Sequence, residues 1–258
     1  MSRAIQSQFN KTGYALKKGV FTDAEIEILE NEFDQIVTQL KKSGENINAC
    51  WGSDLTRHIE DSDSEVIHTH NIQSYSSIML NMVQNETLLD SAELLIGPDI
   101  ILHHTKLFCK PPKKGSAFPL HQDWSYFPTQ KNSMIAAVVH LSESTEDMGC
   151  FRVVPESHKL GEIENSGGHS HVPGIHDYYS LETALPIEAE KGDVLFFHCC
   201  TIHGSMPNTS DHSRKTILIQ LYSGKDTIVD ENPHTNVQLV LRGWNYQATR
   251  ESIGNIKS

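Results

Sequence analysis

Between positions 22 and 42, Ile26, Leu29, Phe33, Ile36 and Leu40 recur every three or four residues, with acids, amides and lysines filling the gaps. That spacing predicts an amphipathic helix with one apolar stripe turned toward a core. Thr22-x-x-Glu25 opens it as a capping box, in which each side chain accepts a backbone N–H that lacks an intrahelical partner. A weaker helical pattern follows over 76–83, and a third over 86–96, which Gly97-Pro98 stops. From position 100 the period changes. Short apolar runs separated by turn residues predict strands over 101–109, 134–141, 150–154, 192–198 and 214–222. Strands in succession, without helices between them, predict a sandwich or barrel and not βαβ units. The 161–179 stretch is long for a connection in a compact domain, and its length marks it as a binding loop or lid.

Composition narrows the class. The 258 residues are 38% hydrophobic and 21% charged, as in ordinary soluble domains. The longest apolar run, 134–139, is far below the roughly 20 residues of a membrane span, and residues 1–14 carry no apolar core of the secretory kind. No membrane association is expected. Five cysteines without a repeating spacing argue for a reducing compartment, so the expected location is cytoplasmic. A net charge of -12 disfavours nucleic acid as a partner, because phosphate binding relies on lysine and arginine. Lys106, Lys110, Lys113 and Lys114 reverse that charge locally. They predict either a solvated hairpin tip or a cationic rim that steers an anionic small molecule.

The chemistry concentrates on His121-Gln-Asp123. With 15 histidines and 14 aspartates, chance alone yields roughly one His-x-Asp, so the motif gains meaning only from its surroundings. On an extended strand, period-two spacing turns both side chains to one face. A further histidine, His203, stands in TIHGS after the strand GDVLFFH, and Arg214 follows eleven positions later on a face shared with Thr216, Leu218 and Gln220. Two imidazoles and one carboxylate leave three octahedral positions open, which suits non-haem iron(II) oxygenases. A structural zinc site would instead be closed by a fourth protein ligand.

HQDWSYFP, GCFRVVPESHKLG, GDVLFFHCCTIHGS and Arg214, in this order and spacing, resemble the phytanoyl-CoA dioxygenase family of iron(II)/2-oxoglutarate oxygenases over about 102–223. The resemblance implies a mainly β fold with flanking helices: a double-stranded β-helix (jelly-roll, cupin-like) core, with N-terminal helices packed on the larger sheet. It would form one domain over 1–258, with 1–99 as helical buttress and lid, 100–223 as jelly-roll core and 224–258 as C-terminal extension. It further implies His121, Asp123 and His203 as catalytic metal ligands. Arg214 would pair with the distal carboxylate of 2-oxoglutarate, since a planar guanidinium matches a carboxylate in a bidentate fork, and Ser205 would hydrogen-bond the same end. For the other carboxylate, His104, at the position where relatives often carry glutamine, and Lys106 are the candidates. Trp124 and Tyr126 are candidate substrate contacts. Asp123 stands where related halogenases have a small residue, which disfavours halogenation.

The implied cofactors are iron(II), 2-oxoglutarate and O2, and the implied partner is a small molecule, anionic if the lysine cluster faces the mouth. The implied reaction is hydroxylation of an unactivated C–H bond with release of succinate and CO2. Cyclisation or desaturation by the same chemistry, and non-redox ligand or zinc binding on a cupin-like fold, are the alternatives. Other histidines carry less: His158 reads as a loop-holding turn residue and His198 as structural, while His68/His70 and His169/His171 have ligand-like spacing without further ligands. The 161–179 loop and the 45–75 region are expected to close over the substrate.

Overall fold

A computed structural model describes residues 2–50, 56–59, 63–163, 175–229 and 236–254. The predicted stripe becomes α2, Asp23–Ser43, which buries Ile26, Leu29, Phe33, Ile36 and Leu40; its Thr22/Glu25 capping box is formed in both directions. Serine and asparagine caps likewise start α3, Ser77–Met82, from Ser76, and α4, Glu86–Ile96, from Asn85. A helix that the pattern did not reveal, α1 at Ser2–Thr12, comes first. It offers the core little beyond Ile5 and Phe9, too few apolar positions to register as a period.

The strands are β1 Tyr14–Lys17, β2 Ile67–His70, β3 Ile100–Lys110, β4 Phe118–His121, β5 Ile135–His140, β6 Phe151–Val153, β7 Leu185–Ile187, β8 Val194–His198, β9 His203–Ser205, β10 Arg214–Ser223 and β11 Leu239–Arg242. Two short helices, α5 at Ile175–Tyr178 and α6 at Arg250–Gly254, complete the described elements. One sheet runs β1-β8-β5-β10-β3-β11, with β2 also paired to β3; the other runs β4-β9-β6-β7. From β3 to β10 the chain passes back and forth between the two sheets, which makes the eight central strands a double-stranded β-helix. β1, β2 and β11 extend the edges of the larger sheet.

Period-two alternation sorts the larger sheet into two faces. Outward residues Ile135, Ala137 and Val139 of β5 and Ile217, Ile219 and Leu221 of β10 pack with the helical residues Ile26, Phe33, Met79 and Leu88 in the main core. Burying Phe33 completely contributes about 1.5–3 kcal/mol. Lys215, on the same outward face, reaches Glu30 at 3.0 Å and Asp34 at 2.8 Å on α2, which orients that helix across the sheet. Inward residues Ala136, Val138, Leu195, Phe197 and Leu218 form a separate apolar cluster between the sheets. The helices therefore brace the wall whose other side carries the chemistry.

Part of the 45–75 region, expected to act as a lid, is β2, a strand paired with β3 from Ile67↔Cys109 to His70↔Lys106. Positions 51–55 and 60–62 of that region, and 164–174 of the expected lid loop with His169 and His171, lie outside the described residues. Among the described residues, no helix is long and apolar enough to cross a membrane.

Thr22→Ala is expected to lower the stability of the folded chain by about 1 kcal/mol, because it removes the acceptor for the Glu25 amide at an exposed helix start. Urea unfolding of the two proteins measures this difference, and Thr22→Ser should recover most of it.

Candidate active site

His121 and His203 are direct cross-strand partners on β4 and β9. Their ring centroids lie 4.3 Å apart. Each Nδ1 sits 2.9 Å from a backbone carbonyl, Pro119 O for His121 and Thr201 O for His203. A carbonyl only accepts, so both Nδ1 atoms carry the proton and both Nε2 lone pairs are left for a metal. Both Nε2 atoms lie 3.7 Å from Asp123 Oδ1. The three ligand atoms fall within 4.8 Å of one another. Burial, reinforced by the neighbouring His203, pushes His121 well below the usual imidazole range, which keeps it neutral and competent to bind.

Asp123 arrives by a route other than the expected strand. β4 ends at His121, and Asp123 opens a one-turn 3-10 segment, Asp123–Ser125. Gln122 between them is buried and donates to Cys200 O at 2.7 Å and Gly161 O at 2.9 Å. Behind the carboxylate, Gln220 Nε2 donates to Asp123 Oδ2 at 2.6 Å, so one oxygen is held and the other faces the imidazoles.

One end of the interior is a pocket of buried polar groups. Arg214 is only 2% exposed and faces Lys110 across the β10–β3 pair. Its guanidinium lies 5.0 Å from the Phe151 ring centroid, and Nη1 donates to Gly149 O. Gly149 has φ +68°, and a Cβ there would lie 2.7 Å from Pro207 O, so glycine is what lets this carbonyl reach the arginine. Burial lowers Arg214 only to about 10, which leaves it charged at neutral pH. Lys110 Nζ donates to Ser205 Oγ at 2.7 Å. Thr216 and His140 are also cross-strand partners on this wall. Arg214 Nε, Thr216 Oγ1 and His140 Nε2 are buried without a protein partner. Orphaned buried donors are costly unless something answers them, and a carboxylate beside two cations answers Arg214 Nε and Thr216 Oγ1; His140, whose Nδ1 donates to Asp193 O at 3.3 Å, presents at Nε2 a lone pair that a carboxylate does not meet. The distal end of 2-oxoglutarate fits that description.

The expected cationic rim divides. Lys110 is fully buried, whereas Lys113 and Lys114 are exposed and paired with Asp211 and Asp63. Alternation along β3 explains this, since 104, 106, 108 and 110 share the inward face. Lys106 therefore also points inward, its Nζ 4.6 Å from the Phe127 centroid. Burial pushes it down to about 8 against the opposing pull of Asp123. β2 continues the wall: His68 stacks on Phe108 at 4.9 Å, and His70 lies 5.8 Å from His104. The register slips at Gln220/Leu221, so that His103 has no partner position in β10. This bulge brings His103 Nδ1 within 2.6 Å of His104 Nδ1, a neighbour that strict alternation would have hidden. The Tyr126 ring lies 5.9 Å from that of His121, and both Trp124 and Tyr126 pack against the cluster of Ile101, Phe127, Cys199 and Cys200. His158 bonds Asn10 O at 3.2 Å and so holds a loop to α1, as its reading proposed.

The model of the phytanoyl-CoA dioxygenase (PhyH) family matches residues 9–216. Peroxisomal phytanoyl-CoA dioxygenase of Bos taurus is 30% identical over 226 residues, covering 81% of this chain and 65% of its own length. Thus the chain spans just under two thirds of that relative. Among solved structures, the non-haem alpha-ketoglutarate-dependent epimerase SnoN from nogalamycin biosynthesis shares the fold, with a TM-score of 0.74 at 17% identity, covering 94% of this chain and 98% of its own. The carbocyclase SnoK from the same biosynthesis has a TM-score of 0.74 at 20% identity, covering 93% and 95%.

Two outcomes follow. Gln220→Leu should weaken iron(II) binding roughly 10- to 100-fold by releasing Asp123, as measured by anaerobic metal titration. Lys106→Met should raise the melting temperature of the metal-free protein at pH 7. A lysine held below its unfolded pKa costs stability while charged; the cost is present below pH about 8 and fades as pH rises toward 10.5. The gain should therefore be smaller at pH 10, and an equal gain at both pH values would count against a buried ammonium here.

Proposed function

The chain belongs to the phytanoyl-CoA dioxygenase family of iron(II)/2-oxoglutarate-dependent oxygenases, and on that premise we propose that it hydroxylates an unactivated C–H bond of a small, anionic metabolite. The carrying observation is the pairing of an open three-ligand group with a buried cationic pocket in which Arg214 Nε and Thr216 Oγ1 lack protein partners. Bound iron(II) supplies the oxidation, using O2 and 2-oxoglutarate and releasing succinate and CO2.

His121, Asp123 and His203 hold the metal on one flank, and among the described residues no fourth protein ligand joins them, as a structural zinc would require. Asp123 keeps the place a halide would need. Arg214 and Lys110 take the distal carboxylate of 2-oxoglutarate, with Ser205, Thr216 and His140 within the same pocket. Lys106 and His104 hold a second anionic group, either the other carboxylate of 2-oxoglutarate or an acidic group of the substrate. Phe151, Phe197 and Leu218 line the space between the sheets and keep it dry, which strengthens these charge interactions. Tyr126, beside His121, and Trp124, two residues earlier, are the aromatic candidates for substrate contact. A second reading, in which the same site closes a ring or desaturates its substrate, draws on the fold shared with the SnoK carbocyclase.

Anaerobic addition of iron(II) and 2-oxoglutarate is expected to produce the weak visible charge-transfer band of the chelate, and admission of O2 to form succinate. Absence of both would sink the proposal. Arg214→Lys should raise the KM for 2-oxoglutarate tenfold or more, since loss of a charged, bidentate hydrogen bond costs about 1.5–3 kcal/mol. Mass spectrometry of metabolite extracts then separates the two readings, by gain of one oxygen atom or loss of two hydrogens.

A further inference from the structure

At the end of β8 the chain reverses through His198-Cys199-Cys200-Thr201, a turn closed by Thr201 N donating to His198 O at 2.8 Å. The turn gathers three metal-binding atoms outside the triad. Cys199 Sγ lies 3.8 Å from His198 Nδ1 and 3.9 Å from Cys200 Sγ, and all three ligand atoms fall within 4.8 Å of one another. A tetrahedral zinc with metal–sulfur distances of about 2.3 Å and metal–nitrogen distances of about 2.0–2.1 Å has ligand–ligand edges of roughly 3.5–3.8 Å. The turn therefore presents nearly one face of such a tetrahedron. We propose that His198, Cys199 and Cys200 form a second metal site, for a thiophilic cation of the zinc and cadmium class, separate from the iron triad.

Ligand softness sets the two sites apart: two sulfurs favour a thiophilic ion, whereas two imidazoles and a carboxylate suit iron(II). Binding releases both thiol protons to solvent, and His198 Nδ1 exchanges its present donor, the Cys200 amide at 3.1 Å, for the cation. Both thiols are buried, but His198 and Asn132 line a cavity of about 370 Å3 that provides the approach. Asn132 O, 3.6 Å from Cys199 Sγ, offers a fourth ligand from that side.

The turn also holds the two neighbours of the candidate iron ligand Asp123. Cys199 O accepts from Trp124 N at 3.0 Å and Cys200 O from Gln122 Nε2 at 2.7 Å, so the two carbonyls hold the residues on either side of Asp123. A cation seated on the thiols thus acts on the carboxylate of the triad through two hydrogen bonds.

Cadmium titration of the metal-free full chain tests the site through the ultraviolet thiolate-to-cadmium band, which nitrogen and oxygen ligands do not produce. The wild type and His121→Ala should both develop the band, saturating at one thiolate-bound ion per chain, and Cys199→Ser and Cys200→Ser should each lose half of it or more. X-ray absorption of cadmium on the unmodified protein should show two sulfur neighbours, whatever the folding of the variants. A band unchanged in both cysteine variants, or a cadmium shell of nitrogen and oxygen alone, overturns the proposal. Phenylarsine oxide, which bridges paired thiols and spares the triad, should weaken iron(II) binding several-fold in the wild type and leave Cys200→Ser unaffected; unchanged iron affinity in the wild type would remove the coupling.

Discussion

The register of two short strands governs this molecule. β4 and β9 pair so that His121 faces His203, and that pairing sets the distance between the two imidazoles before any metal is bound. Gly204 permits it, since a Cβ there would come within 2.6 Å of Phe118 O on the partner strand. A slip of one residue would turn an imidazole to the opposite face of the smaller sheet and dissolve the site. The carbonyls of Pro119 and Thr201 then fix both ring orientations, and Gln220 fixes the carboxylate from the opposite sheet. The metal group is therefore held from both layers of the fold, and the helices that cover the larger sheet stiffen it at a distance.

Placing cations inside an acidic chain is the second constraint. Arg214 and Lys110 are buried beside each other's strands, and Lys106 is pulled inward with them, although burial of an ammonium or guanidinium opposes folding. Such an arrangement survives when an anion offsets it. Binding of a dicarboxylate, as proposed for this pocket, would restore the stability surrendered in the metal-free chain and couple occupancy of the pocket to the rigidity of the wall around it. Arg214 Nε and Thr216 Oγ1 stand in this pocket as buried donors without a protein partner.

Long periodic segments were legible without coordinates. α2 and α4 announce themselves through repeated apolar spacing, a capping box and a Gly-Pro stop, all local properties of the chain. The long strands β3 and β10 were equally clear, and so was the ordered set His121, Asp123, His203 and Arg214, because its meaning lies in sequence order. Strands β4, β7 and β9 have only three or four residues each, too few to show a period, and exist because a partner lies beside them.

Residue types, their order and the parity of positions along β3 and β10 were thus determined by the sequence alone, and with them the choice of candidate metal ligands. Tertiary structure decided what those positions meet: Lys110 against Ser205 instead of solvent, His140 opposite Thr216, His103 carried to His104 by a bulge, and two adjacent thiols under the metal motif. Spacing along one strand is a local property of the backbone, whereas contact between strands far apart in the chain follows from pairing and register, which only the folded whole determines.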